Sequence, residues 1–254
     1  MAVIAVFNQK GGVGKTTTCL NVTAALDIAQ LSPIAIDLDP QGHLTLASGA
    51  ARPAPDRGMV SFFKHRTPLA GLLETTTRGW KIIPSSLELA KIDAMLGSDP
   101  KAATLLRHGL QEHLALTGAP IMIDCCPMLG VLTLNALLAA TRVLIPVSAD
   151  YLSLQGVHRL DSALNVLESK LNRKFERRIV ITRFDARRKL AFDVDGKLRE
   201  RYGKLVCDTR IGENVALATS PMYKQDVFEH AKFSLGAAEY QALTEELLEG
   251  GFFD

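Results

Sequence analysis

A segment rich in glycine and lysine near the start of the chain carries the strongest chemical signal. It reads Gln9-Lys10-Gly11-Gly12-Val13-Gly14-Lys15-Thr16-Thr17. Between a strand and a helix, the backbone N–H groups of such a loop can surround a polyphosphate, and a lysine can reach its terminal phosphates. Gln9 stands where the general pattern has glycine, and Lys10 adds a second lysine. The segment predicts a nucleotide site.

The side chains of this loop suggest individual roles. Lys15 is expected to bind the β- and γ-phosphates, the Thr16 hydroxyl to coordinate Mg²⁺, and Thr17 to contact the α-phosphate. The backbone around the phosphates is expected to come from Gly11, Gly12, Val13 and Gly14. Asp124 ends a separate apolar run, where a phosphate-loop protein needs a carboxylate near its metal. Asp124 is therefore predicted to contribute to the metal site.

Two further carboxylates lie two residues apart in the segment Asp37-Leu38-Asp39-Pro40-Gln41-Gly42. Residues at this spacing share a face at the end of a strand. One carboxylate could position the attacking water, and the other could hold water molecules around the metal. Capping and solvation of a strand end is the structural alternative. We predict that Asp39 acts on the water and Asp37 near the metal.

The elements that must position these residues are visible as short apolar runs. Such runs occupy residues 3–7, 33–37, 80–84, 121–124, 142–146 and 178–182. Continuous apolar runs are typical of parallel strands buried on both faces. Helical spacing lies between them, most clearly over residues 152–171, whereas residues 48–58 have the composition of a surface loop. The pattern predicts one α/β domain over residues 1–254, with a doubly wound, mostly parallel sheet and helices on both faces.

The composition limits the class of protein. Hydrophobic residues make up 47% of the chain and charged residues 22%, as in ordinary globular domains. No apolar run approaches the 18 residues of a membrane span. The start of the chain lacks the basic leader of a secretory signal. Cys19, Cys125, Cys126 and Cys207 lack metal-binding spacing, so reduced thiols and a cytoplasmic location are expected.

The motifs together resemble the deviant phosphate-loop ATPases of the ParA/Soj–MinD family. The resemblance rests on residues 10–17 and 37–42, on Asp124-Cys125-Cys126-Pro127, and on several later segments, so it spans nearly the whole chain. The ParA/Soj branch fits better than MinD. The resemblance implies ATP and Mg²⁺ as ligands, slow hydrolysis and a homodimer formed with ATP. It also implies that Lys10 reaches across that dimer to the partner's phosphates and that Asp39 activates the water.

Four positions depart from the family pattern. Cys126 stands in place of a proline, and His43 in place of an asparagine, both in expected switch loops. Near the expected base-binding loop the family often reads Ile-Pro-Arg-Asn, whereas this chain has Ile211-Gly212-Glu213-Asn214. Asn214 is the residue of this loop that we expect to contact the nucleotide.

Positive charge is concentrated in one segment. Residues 170–210 hold fourteen Lys and Arg and six Asp and Glu, a net charge of +8 in a chain whose total is +2. Such a zone suits sequence-independent binding of DNA phosphates, and the alternative is a solvated surface with ion pairs. Because ParA-like proteins bind DNA non-specifically, we predict DNA binding through Arg187, Arg188 and Lys189, and association with the nucleoid.

Other partners and functions remain open at this point. The resemblance implies a ParB-like or other adaptor protein that stimulates hydrolysis and a cargo that is segregated or positioned. The acidic end of the chain, residues 243–254, opposes an anionic lipid surface, so no membrane anchor is expected. Phe252 and Phe253 are expected to pack back or make minor contacts. The main alternative is a MinD-like, regulatory or assembly ATPase that acts through a protein partner without DNA. A metabolic ligase or kinase on this fold is disfavoured.

Overall fold

The computed structural model describes residues 2–97, 99–114 and 117–254. The strands are β1 (Val3–Val6), β2 (Ile34–Asp37), β3 (Glu74–Thr75), β4 (Lys81–Ile83), β5 (Ile121–Asp124), β6 (Arg142–Ser148), β7 (Glu176–Phe184) and β8 (Val206–Gly212). The helices are α1 (Lys15–Ile28), α2 (His43–Ala47), α3 (Met59–His65), α4 (Ala90–Leu96), α5 (Leu105–His113), α6 (Val131–Ala139), α7 (Tyr151–Leu171), α8 (Lys189–Tyr202), α9 (Val215–Thr219), α10 (Val227–His230) and α11 (Leu235–Glu249). Short 3₁₀ turns join several of these elements.

The strands form one eight-stranded sheet in the order β3-β4-β2-β5-β1-β6-β7-β8. All neighbouring strands are parallel except β3 and β4. Crossovers to both sides of β1 make the sheet doubly wound, so the predicted α/β class is confirmed. No apolar run predicts β3 or β8. Both lie at sheet edges, and the polar residues 208–210 of β8 are partly exposed, so β8 lacks the composition of a central strand.

Successive residues of the strands contribute to two separate cores. Val3 and Ala5 pack on one face of the sheet, whereas Ile4 and Val6 pack on the other. The first face is covered mainly by residues of α3 and α5 to α8, and the second by residues of α1, α2 and α11. This alternation explains why the central strands have apolar runs without polar breaks.

Loops at the carboxyl edge of the sheet carry the predicted site. β1, β2 and β5 lie side by side, and the register places Asp37 opposite Asp124. The loop after β1 leads directly into α1, whose N-cap Gly14 has φ +84°, and Gly12 has φ +75°. These left-handed values favour glycine and explain its use at both positions. α1 begins at Lys15, so the last residues of the phosphate loop form its first turn.

The remaining expectations concern the surface. Residues 48–58 connect α2 to α3 without regular secondary structure, as predicted. Phe252 is completely buried and Phe253 packs beside it, which confirms that the aromatic pair packs back. None of the described helices combines the length and the apolar character needed to cross a membrane.

Candidate functional site

The start of α1 brings Lys15 and Thr16 to the buried end of β5. The Thr16 hydroxyl donates to Asp124 Oδ2 at 2.7 Å. Lys15 is only 8% exposed, and its Nζ donates to the carbonyl oxygen of Lys10 in the same loop at 3.0 Å. Asp124 is fully buried, and its Oδ1 has no hydrogen-bond partner among the described residues. A hydroxyl and a carboxylate with a spare oxygen therefore meet beside a buried ammonium group.

Asp37 and Asp39 have different surroundings. Asp37 is fully buried, and its Oδ2 accepts hydrogen bonds from the backbone N–H and the hydroxyl of Thr45 at 2.8 and 2.7 Å. Its Oδ1 accepts from the N–H of Asp39 at 3.1 Å. Asp39 itself lines the cavity that contains Lys15 and Thr16. The structure therefore places Asp39 at the solvent side of the site and Asp37 beneath it, where Asp37 holds the start of α2.

Burial dominates the electrostatics of this cluster. It raises the pKa of Asp37 to about 7, against the hydrogen bonds from Thr45 and Asp39. Burial also raises the pKa of Asp124 well above its ordinary value, and the negative charge of Asp37 adds to this increase. The pKa of Lys15 is lowered by burial, against the attraction of Asp124 and Asp39. Buried charges of both signs that lack full compensation favour a ligand that brings an anion and a cation together.

Lys10 has a partner that the sequence does not reveal. Its Nζ lies 2.7 and 2.8 Å from the two carboxylate oxygens of Asp150 and 2.8 Å from the Ser153 hydroxyl. Asp150 is also the N-cap of α7, where it accepts from the N–H of Ser153. Although burial acts in the opposite direction, hydrogen bonds from Lys10 and Ser153 lower the pKa of Asp150 to about 2. In the single chain, the second lysine of the loop is therefore held by α7.

Two cavities lie on either side of the phosphate loop. Both are lined by Gly12, Gly14 and Thr17. The first, of about 850 Å³, also contains Gly11, Lys15, Thr16, Asp39, Pro40, Gln41, His43, Ala90, Asp93, Ala94, Cys126, Pro127 and Met128. We call it the phosphate-side cavity. The second, of about 640 Å³, extends to the ends of β7 and β8, and we call it the base-side cavity. The two cavities therefore make the loop accessible from two sides.

The base-side cavity is built largely by residues beyond the phosphate loop. The Thr182 hydroxyl donates to the carbonyl oxygen of Val13 at 2.9 Å and so attaches β7 to the loop. Asn214 lines the cavity, and its side chain caps α9 by accepting from the N–H of Ala216 at 2.8 Å. Tyr240 of α11 lies at the cavity and approaches the Thr18 hydroxyl at 3.1 Å. The C-terminal part of the chain therefore supports both the loop and the cavity.

The chain matches a family model described as an AAA domain over residues 1–177. It is 37% identical to the chromosome-partitioning ATPase Soj of Thermus thermophilus, over 96% of this chain and 94% of that protein. The chain belongs to the ParA/Soj family of ATPases.

Two solved structures share this fold. One is cobyrinic acid a,c-diamide synthase from Mycobacterium smegmatis with a bound ATP analogue and magnesium, which is 28% identical with a TM-score of 0.84. The match covers 99% of this chain and 96% of the synthase chain. The other is apo McdA from Cyanothece, with a TM-score of 0.86 at 20% identity, and the match covers 97% of this chain and 99% of the McdA chain. At this identity the similarity shows the fold alone. The ParA/Soj fold thus extends past the region matched by the family model.

Several positions depart from the ParA/Soj pattern. Cys126 lies in the phosphate-side cavity, where its Sγ is 3.4 Å from the Thr133 hydroxyl, and burial raises the pKa of its thiol. His43 lines the same cavity as the first residue of α2. Gly212 replaces a proline, and its N–H donates to Glu239 Oε2 at 2.9 Å. Proline has no N–H and could not make that bond, so the bond requires another residue at this position.

In the structure, the basic segment 170–210 has fewer unpaired positive charges than its net charge of +8 suggests. Seven of its arginines form ion pairs: Arg177, Arg178, Arg183, Arg187, Arg188, Arg199 and Arg210. Arg177 is buried between Asp161 and Glu168 of α7, and Arg178 pairs with Glu246 of α11. Acids outside the segment therefore neutralise part of the charge that the sequence concentrates within it.

The predicted DNA-binding residues fall into two groups. Arg187 and Arg188 are 88% and 67% exposed, and both pair with Asp185. Hydrogen bonds from Arg187 are the main cause that lowers the pKa of Asp185 to about 2. Arg187 also lines the base-side cavity. Lys189 is exposed at the start of α8, and within the described residues neither it nor the other lysines of the segment (Lys170, Lys174, Lys197 and Lys204) pairs with a carboxylate.

Proposed function

We propose that the protein is an ATP-hydrolysing switch that forms a homodimer with ATP, binds DNA non-specifically and segregates or positions a cargo. A ParB-like or other adaptor stimulates its slow hydrolysis, and the protein resides in the cytoplasm, associated with the nucleoid. The observation that carries this proposal is that Lys15, Thr16 and Asp39 line one cavity beside the loop, and that the Thr16 hydroxyl donates to the buried Asp124. The relative named as a chromosome-partitioning ATPase supports it.

The residues around Asp124 fit a magnesium ion. Mg²⁺ prefers hard oxygen ligands and keeps several waters, so it needs few protein atoms. The Thr16 hydroxyl and the unpartnered Oδ1 of Asp124 supply such oxygens, and Asp37 lies one strand away. When bound with ATP, Mg²⁺ neutralises phosphate charge.

The remaining chemistry falls to the chain's own side chains. Lys15 and the N–H groups of residues 11–17 bind and orient the phosphates, and Asn214 lies where the nucleoside binds. Asp39 holds the attacking water and accepts its proton. Lys10 supplies a further positive charge at the phosphates of the partner in the dimer, once it has left Asp150.

Hydrolysis and dimerisation can be tested with Asp39→Ala. Loss of a general base lowers turnover by about 100-fold or more, while ATP binding should persist because Lys15 and Thr16 are unchanged. Phosphate release and light scattering with ATP or ADP provide the two measurements. Asp193→Ala, an exposed acid of α8, is the control and should behave as wild type. Rapid hydrolysis by Asp39→Ala would remove Asp39 from its role, and a monomer with ATP would refute the dimer.

DNA binding is tested by replacing Arg187, Arg188 and Lys189 with alanine. The matched control replaces Lys64, Lys81 and Lys91, which are also exposed and carry the same total charge. With ATP, the first variant should bind DNA more weakly and with a shallower salt dependence, because fewer phosphates are neutralised. The control should bind as wild type does. Equal and negligible binding by all three proteins, with ATP and with ADP, would overturn the DNA proposal.

One observation favours a second candidate. Most arginines of the basic segment already have carboxylate partners within the chain, so fewer charges are free for DNA than the sequence suggests. This supports a MinD-like, regulatory or assembly ATPase that acts through a protein partner. ATP-dependent dimerisation without DNA binding would select it. Ligase activity is not proposed, because the partitioning ATPase is more similar in sequence than the diamide synthase, 37% against 28%.

A further inference from the structure

The base-side cavity contains an arginine whose backbone is unusual. Arg183 has φ +52°, one of six described non-glycine residues with a positive φ. It alone among them lies within a strand, whereas the others follow helices or occupy turns. The pairing of β7 with β8 is irregular between Ile181 and Phe184, on either side of this residue. Irregularities of this kind redirect a side chain and often occur beside active sites.

The side chain of Arg183 lines the cavity and contacts two of the loops around it. Its Nε is 3.4 Å from Glu213 Oε1, which joins the end of β7 to the loop after β8. Its Nη1 is 3.5 Å from the carbonyl oxygen of Gly12 in the phosphate loop. Arg183 and Glu213 are 59% and 42% exposed. A pair this open contributes little to stability, so its position is better explained by a ligand than by folding.

Part of the remaining lining of the cavity is apolar. Ile211, Leu217 and Ala218 line it together with Tyr240. A flat aromatic base needs one apolar surface and one face on which a planar cation can lie. The guanidinium of Arg183 is the planar cation at this position that also reaches the phosphate loop.

We propose that Arg183 stacks on the nucleobase and that Glu213 holds its guanidinium in the stacking orientation. Arg183 then determines how tightly and how long the nucleoside is retained, while the phosphates are bound by the loop. The inference rests on the proposed nucleotide function and deepens it. It predicts that the effect of Arg183 requires a base, because inorganic phosphate ligands have no aromatic face.

The test compares ADP with inorganic pyrophosphate by titration calorimetry. For Arg183→Ala the Kd of ADP should rise about 5-fold, the size of a partly desolvated cation–π contact. The Kd of pyrophosphate should not change. Glu213→Gln should raise the Kd of ADP about 2-fold. The double variant should have the same Kd as Arg183→Ala alone, since Glu213 acts through Arg183. The matched control is Arg201→Ala, an exposed arginine of α8 that does not line the cavity.

Each other outcome has a defined meaning. Equal weakening of ADP and pyrophosphate would show that Arg183 acts on the phosphates or on the loop, and would overturn the stacking role. An unchanged Kd for both ligands would overturn the stacking role as well. Arg183→Gly guards against misfolding, because glycine relieves the left-handed backbone and must reproduce the ADP defect with an unimpaired melting temperature. Failure of wild type to bind either ligand would instead overturn the nucleotide site, and this inference with it.

Discussion

The phosphate loop and the basic segment 170–210 are both rich in cations, yet they use them differently. In the loop, Lys15 is buried beside two carboxylates, and burial lowers its pKa. In the basic segment, arginines pair with carboxylates of α7, α8 and α11 and help to join those helices to the sheet. The first region leaves charge uncompensated for a ligand, and the second compensates most of its charge within the fold.

This difference shows that net charge along a sequence is a poor measure of charge available to a partner. Arg177 has two acidic partners in α7, and Arg178 has one that is 68 residues away. Surface potential depends on exposed and unpaired groups, which in this segment are mainly lysines. The distinction can be tested directly by substitutions in the two regions.

The largest effect is expected in the basic segment. Arg177→Ala leaves Asp161 and Glu168 without their buried partner, and removal of one member of a buried pair costs about 3–5 kcal/mol of the free energy of unfolding. Urea denaturation measures it. Lys174→Ala, an exposed neighbour, should change stability by less than about 0.5 kcal/mol. If Arg177→Ala unfolds like wild type but loses DNA binding, the contrast between the two regions is wrong.

In the loop, the substitution Lys15→Ala should act on the ligand rather than on the fold. Loss of charge-assisted hydrogen bonds to phosphate costs about 3 kcal/mol, or roughly 100-fold in the Kd of ADP. Removing a buried ammonium should leave the melting temperature of the free protein unchanged or higher. Lys81→Ala, on the exposed side of β4, is the control. Tight ADP binding by Lys15→Ala would contradict the ligand role of the loop.

A smaller effect is expected at the ion pair between Lys10 and Asp150. Asp150→Ser keeps a good N-cap for α7 but removes the carboxylate that holds Lys10. Because a half-exposed pair is worth up to about 1 kcal/mol, ATP affinity should increase by up to about 5-fold. Asp150→Ala lacks the cap as well and should lower the melting temperature, which separates the two roles. Weaker ATP binding by Asp150→Ser would show that Asp150 assists the ligand instead of competing with it.

The smallest effect is expected when a single exposed lysine of the basic segment is removed. Lys189→Ala should weaken non-specific DNA binding about 2- to 3-fold and reduce the slope of log K against log salt by about 1. Lys189 is unpaired and exposed, so stability should not change. The binding constant is measured at several salt concentrations with ATP present. If only Arg187→Ala changes the salt slope, the ion pair with Asp185 must open on DNA and lysines do not form the interface.

The sequence predicted which motif residues lie close together at the carboxyl edge of the sheet. Lys15, Thr16, Asp39 and Asp124 are each fixed by strand ends whose apolar runs are easily recognised, and parallel pairing brings them together. Asp150 precedes a strong helical pattern, so its role as a cap could have been inferred. Its contact with Lys10 could not, because the two residues are 140 positions apart and no local pattern relates them.

The same limit applies to the base-side cavity and the ion pairs. The strand β8 has exposed polar residues at an edge, so its sequence lacks the apolar run of the central strands. The position of Arg183 depends on a left-handed backbone and an irregular strand pairing that no residue type announces. Side-chain partners distant in the chain become known only once the helices have been placed on the sheet.

The division of the nucleotide site between two parts of the chain has a thermodynamic consequence. All residues that line the phosphate-side cavity come before position 129, whereas Thr182, Leu217 and Tyr240 of the base-side cavity lie beyond the region that matches the AAA family model. A nucleotide that touches both acts as a reversible cross-link between distant segments. At 100 times its Kd such a ligand adds about 2.7 kcal/mol to the free energy of unfolding. Amide exchange in β8, an edge strand far from the loop in sequence, should therefore slow together with exchange in β1.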